Sequence, residues 1–315
     1  MKGRLLNYLL GIFKSRWFSL LAGVALICWI FIYFDIDLSI LLLPSDPLLY
    51  LVIALLLPNL LLNYWRWGFL TRKVQPDLSW KTLSGPFLLG YASGLVTPAN
   101  LGVHLRALYL GREQRTSLVT ISFLDKLLNG IVAGSFGLWG LWQLIFRGSA
   151  DSAPISLFTI VFFALFFASL LFLLYRPDLT ARLVPRRWRN SDSLPKRIIG
   201  ALQSVNSATL TLALSVTIVA YLVYMLQFLL LLCITTGEFN LALFAPIASM
   251  MFIKSFLSFT WGDLGVRELL TTWLLAPYYV SQNAAVQSSM LIFEINILLP
   301  AMMGAVVLLV RRRHN

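Results

Sequence analysis

Long apolar runs separated by short polar connections fill this sequence, and the basic residues fall in alternate connections. About 20 apolar residues in a helix cross a bilayer core of ~30 Å. That pattern predicts spans over 16–34, 47–65, 117–146, 153–175, 207–235 and 286–310. The first, running from Trp17 to Phe34, is too long for a signal-peptide core and has no small-residue cleavage site, so it reads as a retained span. The connection after it holds Asp35, Asp37 and Asp46 with no Lys or Arg, whereas the next holds Arg66, Arg72, Lys73 and Lys81. Cytoplasmic loops are the ones enriched in Lys and Arg, so the N-terminus is expected inside. Arg311, Arg312 and Arg313 put the C-terminus on the same side. Asn63-Tyr-Trp-Arg-Trp67 reads as an interfacial aromatic belt with Arg66 snorkelling toward water.

Two hydrophobic stretches break the pattern. Leu83 to Pro98 is interrupted by Gly85, Pro86, Gly90, Gly94 and Pro98 and has basic flanks on both sides, which predicts a re-entrant hairpin entering from the cytoplasm. The stretch 241–284 begins and ends outside, as a second re-entrant region or as two short crossings. A short motif that differs only at Asn/Asp accompanies both, Asn100-Leu-Gly-Val103 just after the first and Asp263-Leu-Gly-Val266 within the second, each with an arginine close behind. Irregular backbone at membrane depth survives only where protein or a watery cavity surrounds it. Paired Gly/Pro-interrupted segments in two halves mark the binding site of inverted-repeat transporters. The predicted fold is therefore an all-α polytopic membrane protein of two inverted repeats. Its parts are an interfacial amphipathic segment 1–15, a first repeat 16–146, a second repeat 147–310 containing the basic cytoplasmic loop 176–206, and a basic tail 311–315.

Composition narrows the chemistry. With 59% hydrophobic residues, 12% charged residues and a mean hydropathy of +0.81, the chain is an integral membrane protein. Its net charge of +12 sits in short loops, which fits the positive-inside rule and anionic lipids at the inner surface rather than nucleic acid. Cys28 and Cys233 lie inside apolar stretches, so neither a disulfide framework nor a metal site is indicated, and no cofactor is expected. Only thirteen acids are present, with no phosphate-binding loop, HxxE or Ser/His/Asp pattern, which argues against an enzyme.

Beyond these patterns, Pro98-Ala-Asn-Leu-Gly-Val-His-Leu-Arg106, the later Asp125-Lys126 and Gly262-Asp-Leu-Gly-Val-Arg-Glu268 resemble the motifs of the lysylphosphatidylglycerol synthase transmembrane region family. The resemblance covers nearly the whole chain. Two departures stand out: the first motif's usual acid is replaced around Val103-His104, and the family's Asp-Arg pair is Asp125-Lys126 here. The resemblance implies a flippase-type protein that moves lipid across the membrane. With the chain ending at Asn315, it implies a translocase standing alone, without a fused synthase domain.

An intramembrane charge costs about 2.5–3.5 kcal/mol on insertion scales, so each one is a site candidate. Arg106 and Arg267 follow the broken segments and suit a phosphate, which an arginine fork grips bidentately; the alternative is that each snorkels or locks its loop. Gly102 and Gly265 allow close backbone approach or tight helix packing. Asn100 suits a helix cap, and Asp263 either caps or pairs with a Lys or Arg across the repeat interface. Lys126 and Lys254 join the binding set. Asp125 and its counterpart Glu294 are candidates for a cavity charge or a proton-coupling carboxylate, or for a buried pair. His104 reads as structural. The function expected is translocation of a phosphate-bearing lipid (a phospholipid, an aminoacyl-phosphatidylglycerol or a polyprenyl-linked lipid) across the cytoplasmic membrane. The competing readings are a non-transporting partner of a lipid or glycan synthase, docked through the basic loop, and, with less support, a headgroup-modifying enzyme.

Overall fold

A computed structural model describes residues 16–41, 43–110, 115–147, 153–176, 179, 200–257 and 260–314. The amphipathic segment 1–15 and most of the basic loop expected over 176–206 lie outside the described residues. All regular structure described is helical. In order come α1 (Arg16–Tyr33), α2 (Leu48–Ala54), α3 (Leu56–Val74), α4 (Trp80–Leu95), a 3-10 segment (Pro98–Leu110), α5 (Arg115–Arg147) and α6 (Ala153–Tyr175). Then follow α7 (Ser207–Thr236), α8 (Phe244–Lys254), a 3-10 turn (Trp261–Asp263), α9 (Val266–Leu275), α10 (Gln282–Phe293), a π-turn (Glu294–Leu298) and α11 (Leu299–His314).

Five stretches are long and apolar enough to cross a membrane: Leu48–Val74, Arg115–Ile145, Leu157–Tyr175, Ser207–Thr236 and Gln282–Val310. Each coincides with an expected span. The expected first span appears as α1, whose apolar part is the shorter Gly23–Tyr33. Prolines set the breaks. Pro58 cannot donate to the Ala54 carbonyl, and α2 gives way to α3 at Leu55. Pro300 cannot donate to the Asn296 carbonyl, and the helix widens into the π-turn just before it. The basic tail expected at 311–315 continues α11 as helix to His314.

Both interrupted stretches are hairpins. The first is longer than Leu83–Pro98, because the 3-10 segment Pro98–Leu110 packs back against α4. Gly102 makes this possible: a Cβ there would sit 2.0 Å from the Ser93 carbonyl oxygen. The Gly102 N–H donates to Thr97 Oγ1 at 2.7 Å, and the Ser93 hydroxyl donates back to the Gly102 carbonyl at 2.7 Å. The second hairpin pairs α8 and α9, of 11 and 10 residues. At ~1.5 Å per residue neither reaches across a bilayer alone, which favours the re-entrant form over two crossings.

Each half thus runs span, span, hairpin, span, and the packing is exchanged between halves. The first hairpin's α4 lies against α11, the closing span of the second half, and α8 lies against α5, the closing span of the first. Glycines line both seams. A Cβ on Gly304 would meet the Leu88 carbonyl oxygen at 2.2 Å, and one on Gly140 would meet that of Ala245 at 2.3 Å. Close backbone approach of this kind is how helices associate in lipid, where apolar side chains gain little from one another. The tips meet as well, the 3-10 segment touching the Trp261–Asp263 turn.

Gly140→Ala and Gly304→Ala are each expected to destabilise the fold by about 1–3 kcal/mol through overpacking. Gly130→Ala, which meets nothing within 4 Å, leaves stability unchanged. Thermal unfolding of the three purified variants beside the parent checks this; equal midpoints would show that the seams are not tight.

Candidate functional site

Where the hairpins meet the spans, charges are gathered inside the bundle. Asp125 on α5 is 4% exposed and is shared by two arginines, each 4% exposed or less. Arg66 Nε donates to Asp125 Oδ1 at 2.6 Å, and Arg106 Nη2 donates to Oδ2 at 2.6 Å. Arg66 Nη1 also reaches Asn129 Oδ1 at 3.1 Å and Thr217 Oγ1 at 3.0 Å. The Arg106 guanidinium lies 4.5 Å from the centre of the Trp67 ring, and its Nε has no hydrogen-bond partner among the described residues.

Arg66 was expected to snorkel in an aromatic belt, and the structure corrects that. Helix α3 runs on to Val74, so Arg66 falls in its interior, and both Arg66 and Trp67 are 1% exposed. The signal was present in the spacing: Asn59, Asn63 and Arg66 share one face of α3 at helical intervals. That face is a polar line. Asn63 Nδ2 donates to Asn59 Oδ1 at 2.7 Å, and Asn59 Nδ2 lies 3.3 Å from both Gln227 Oε1 and Asn296 Oδ1.

A cavity of about 330 Å³ opens beside the arginine pair, lined by Arg106, Asp125, Lys126, Asn129, Lys254 and Tyr91 among others. Lys126 and Asp125 are neighbours on one helix, yet both border it. Lys254, at the end of α8, brings the second hairpin to the same space. Its Nζ donates to Asp263 Oδ2 at 2.8 Å. Asp263 therefore has one partner within its own half, and it does not cap α9, whose cap is Gly265. Its positive φ of 64°, tolerable for Asp, turns the chain instead.

The second motif is built differently. Gly265 caps α9 at φ +81°, and its N–H donates to Glu268 Oε2 at 2.6 Å. Arg267 is 0% exposed. Its Nη2 donates to Glu268 Oε1 at 2.8 Å and its Nε to Ser289 Oγ at 3.0 Å, with the Phe293 ring 5.0 Å away. The carboxylate that answers Arg267 is thus Glu268, the residue beside it, to which the sequence motif alone assigned no role. Glu294, placed by sequence as the counterpart of Asp125, begins the π-turn half-buried, with no ion pair to its carboxylate among the described residues. Asn100 lies within the 3-10 segment, its side chain outside the described residues. His104 is buried and stacks on Phe123 at 4.1 Å.

The structure therefore brings Arg106, Asp125, Lys126 and Lys254 to one cavity, with Asp263 behind Lys254. Arg267 and Gly265 stand apart in a closed cluster, and Gly102 serves the hairpin. Among the described residues no group of three or more His, Cys, Asp or Glu could hold a metal ion.

The model of the lysylphosphatidylglycerol synthase TM region family matches residues 16–309, and the chain belongs to that family. No curated protein and no solved structure matches it.

Removing one member of a buried ion pair costs about 3–5 kcal/mol, since the other charge is left uncompensated. Asp125→Asn, which strands two arginines, is expected in that range. Arg66→Gln combined with Asp125→Asn is expected to cost less than the sum of the two single changes, because the residues share one network. Chemical unfolding of the three variants in detergent decides it; strict additivity would mean that the two residues are not coupled.

Proposed function

From membership of this family and the charged cavity between the two hairpins, we propose that the protein is a lipid translocase. It moves a phosphate-bearing lipid across the cell membrane, without catalysing a chemical change. The headgroup enters the cavity of Arg106, Lys126 and Lys254 while the acyl chains stay in the bilayer. The observation that carries this reading is the cavity itself, because cations from both halves line one space inside an apolar bundle. Arg106 is buried on its wall, where a cation is stable only with an anion nearby, and it still has a donor to offer. Of the two motif arginines, Arg106 touches the headgroup and Arg267 holds the second hairpin in shape.

In this reading the halves are inverted repeats, both termini face the cytoplasm, and the exchanged hairpins carry the alternation of access. The π-turn suits a joint. Helix α10 packs with α7 and α9 of the second half, while α11 beyond the turn packs with α4 of the first. Glu294, at that joint, is the carboxylate available for coupling to protons.

Arg106→Ala leaves Asp125 its bond to Arg66, so no buried charge is stranded. It is expected to lower the rate at which a fluorescent-tail phospholipid crosses proteoliposome membranes by about tenfold or more, the equivalent of one lost charge-assisted contact. A rate equal to that of the parent protein would remove Arg106 from the pathway and this function with it.

A further inference from the structure

A second cavity, of about 220 Å³, lies on the far side of α5 from the charges. Leu124 and Leu127 of α5 form one wall, Leu173 and Leu174 of α6 the next, and Leu202 and Val205, just before α7, the third. At about 100° per residue, the first two point away from the side of α5 that carries Ser122, Asp125 and Asn129, so the helix itself separates the two cavities. Every residue lining the second is Leu or Val, so water finds no side-chain partner there. An apolar cavity of about 150 Å³ stays dry yet takes in a benzene, and this one is larger. Helix α6 explains the gap. It packs on α5, and no residue from Leu157 to Tyr175 is buried, so most of its surface is left to the bilayer. Its last residue, Tyr175, reaches α7 through a 2.8 Å hydrogen bond between its hydroxyl and that of Thr211. Leu174 and Leu210, the chain neighbours of that pair, both line the cavity.

We propose that this slot seats one acyl chain of an anionic phospholipid, held as part of the fold and not transported; the inference does not depend on the translocase reading. Three observations select that occupant. The walls match a hydrocarbon chain and offer nothing to a polar ligand. The mouth is marked by Tyr175, at the end of an apolar helix, where tyrosine sits at headgroup level. A chain lying in the slot therefore brings its phosphate to the height of the Tyr175 and Thr211 hydroxyls. The third is charge. The sequence joining two of the walls, residues 176–199, carries seven Lys and Arg against two Asp. It leaves from Tyr175 and returns just ahead of Leu202, so both of its ends are held at the slot. Basic segments at a membrane surface attract anionic headgroups, and a zwitterionic lipid with the same chains gains nothing from them. Once seated, the chain fills a space that would otherwise cost stability in proportion to its volume, and it wedges α6 against α7.

The test counts the lipids held by the purified full-length protein in detergent, by native mass spectrometry. The probes are dioleoyl phosphatidylglycerol, dioleoyl phosphatidylcholine and glycerol phosphate, which has the charge without the chains. Leu173→Phe and Val205→Phe each fill the slot from a different wall, so neither result rests on one variant. Because they fill empty space, both are expected to keep the thermal midpoint of the delipidated protein. Each is expected to hold one phosphatidylglycerol fewer than its parent, in the Arg106→Ala background as in the wild type. A filled variant that loses no lipid in the Arg106→Ala background places the lipid in the charged cavity instead and overturns the inference. The lipid that filling removes is expected to be phosphatidylglycerol over phosphatidylcholine by about fivefold or more, the factor one basic residue contributes at an anionic surface. Equal retention of the two overturns the anionic assignment. Displacement of the wild-type protein's lipid by glycerol phosphate would show a site that reads the headgroup alone, and that outcome, which needs no variant, also overturns the proposal. The translocase reading is decided elsewhere, by the flipping rate of Arg106→Ala, so each can fail while the other stands.

Discussion

One carboxylate shared by two arginines sits at the centre of this protein. In water that arrangement would contribute little. Inside an apolar bundle it fixes three elements at once, because Asp125 cannot give up Arg66 or Arg106 without leaving a charge stranded. Helix α3, the first hairpin and α5 are thereby locked together. The lock still leaves a net positive charge, and it does so on the wall of a cavity. The atoms that hold the bundle together therefore also shape that cavity. The second motif has no such surplus. Arg267 is matched by Glu268, and the pair is sealed by Ser289 and Phe293. The two copies of the motif look alike in sequence and have come to different ends.

Most of the span pattern was legible in the sequence because a bilayer enforces it: hydropathy and the alternation of basic loops predict the crossing helices, all but the one ending at Val74 to within a few residues. The interrupted segments were recognisable too, since Gly and Pro in apolar runs need shelter. Harder to read was where each charge would be buried. Arg66 looked interfacial because aromatic residues surround it, but a helix two turns longer than expected drew it inward. Glu294 was read as the counterpart of Asp125 by position in its span, but its place at the start of a π-turn, without an ion pair among the described residues, could not be read from hydropathy. Glu268 was overlooked because pairing between adjacent residues depends on how the chain turns at Gly265, and the turn appears only in three dimensions. Hydropathy reports how far a residue sits from water; it does not say which residue will stand opposite.

The exchanged hairpins make the halves inseparable. Each hairpin is short, and each finds much of its cover on the closing span of the other half. The packing of each hairpin on the other half ties the two halves into one body.

That exchange has a consequence for how the protein is made. During synthesis Leu88 emerges long before Gly304, so the first hairpin enters the membrane with its outer face bare while the whole second half is still to come. What can form in the meantime lies within residues 66–125: the bonds from Arg66 and Arg106 to Asp125. The ion cluster is therefore also a clasp that holds an unfinished hairpin in place until the ribosome delivers the helix that covers it.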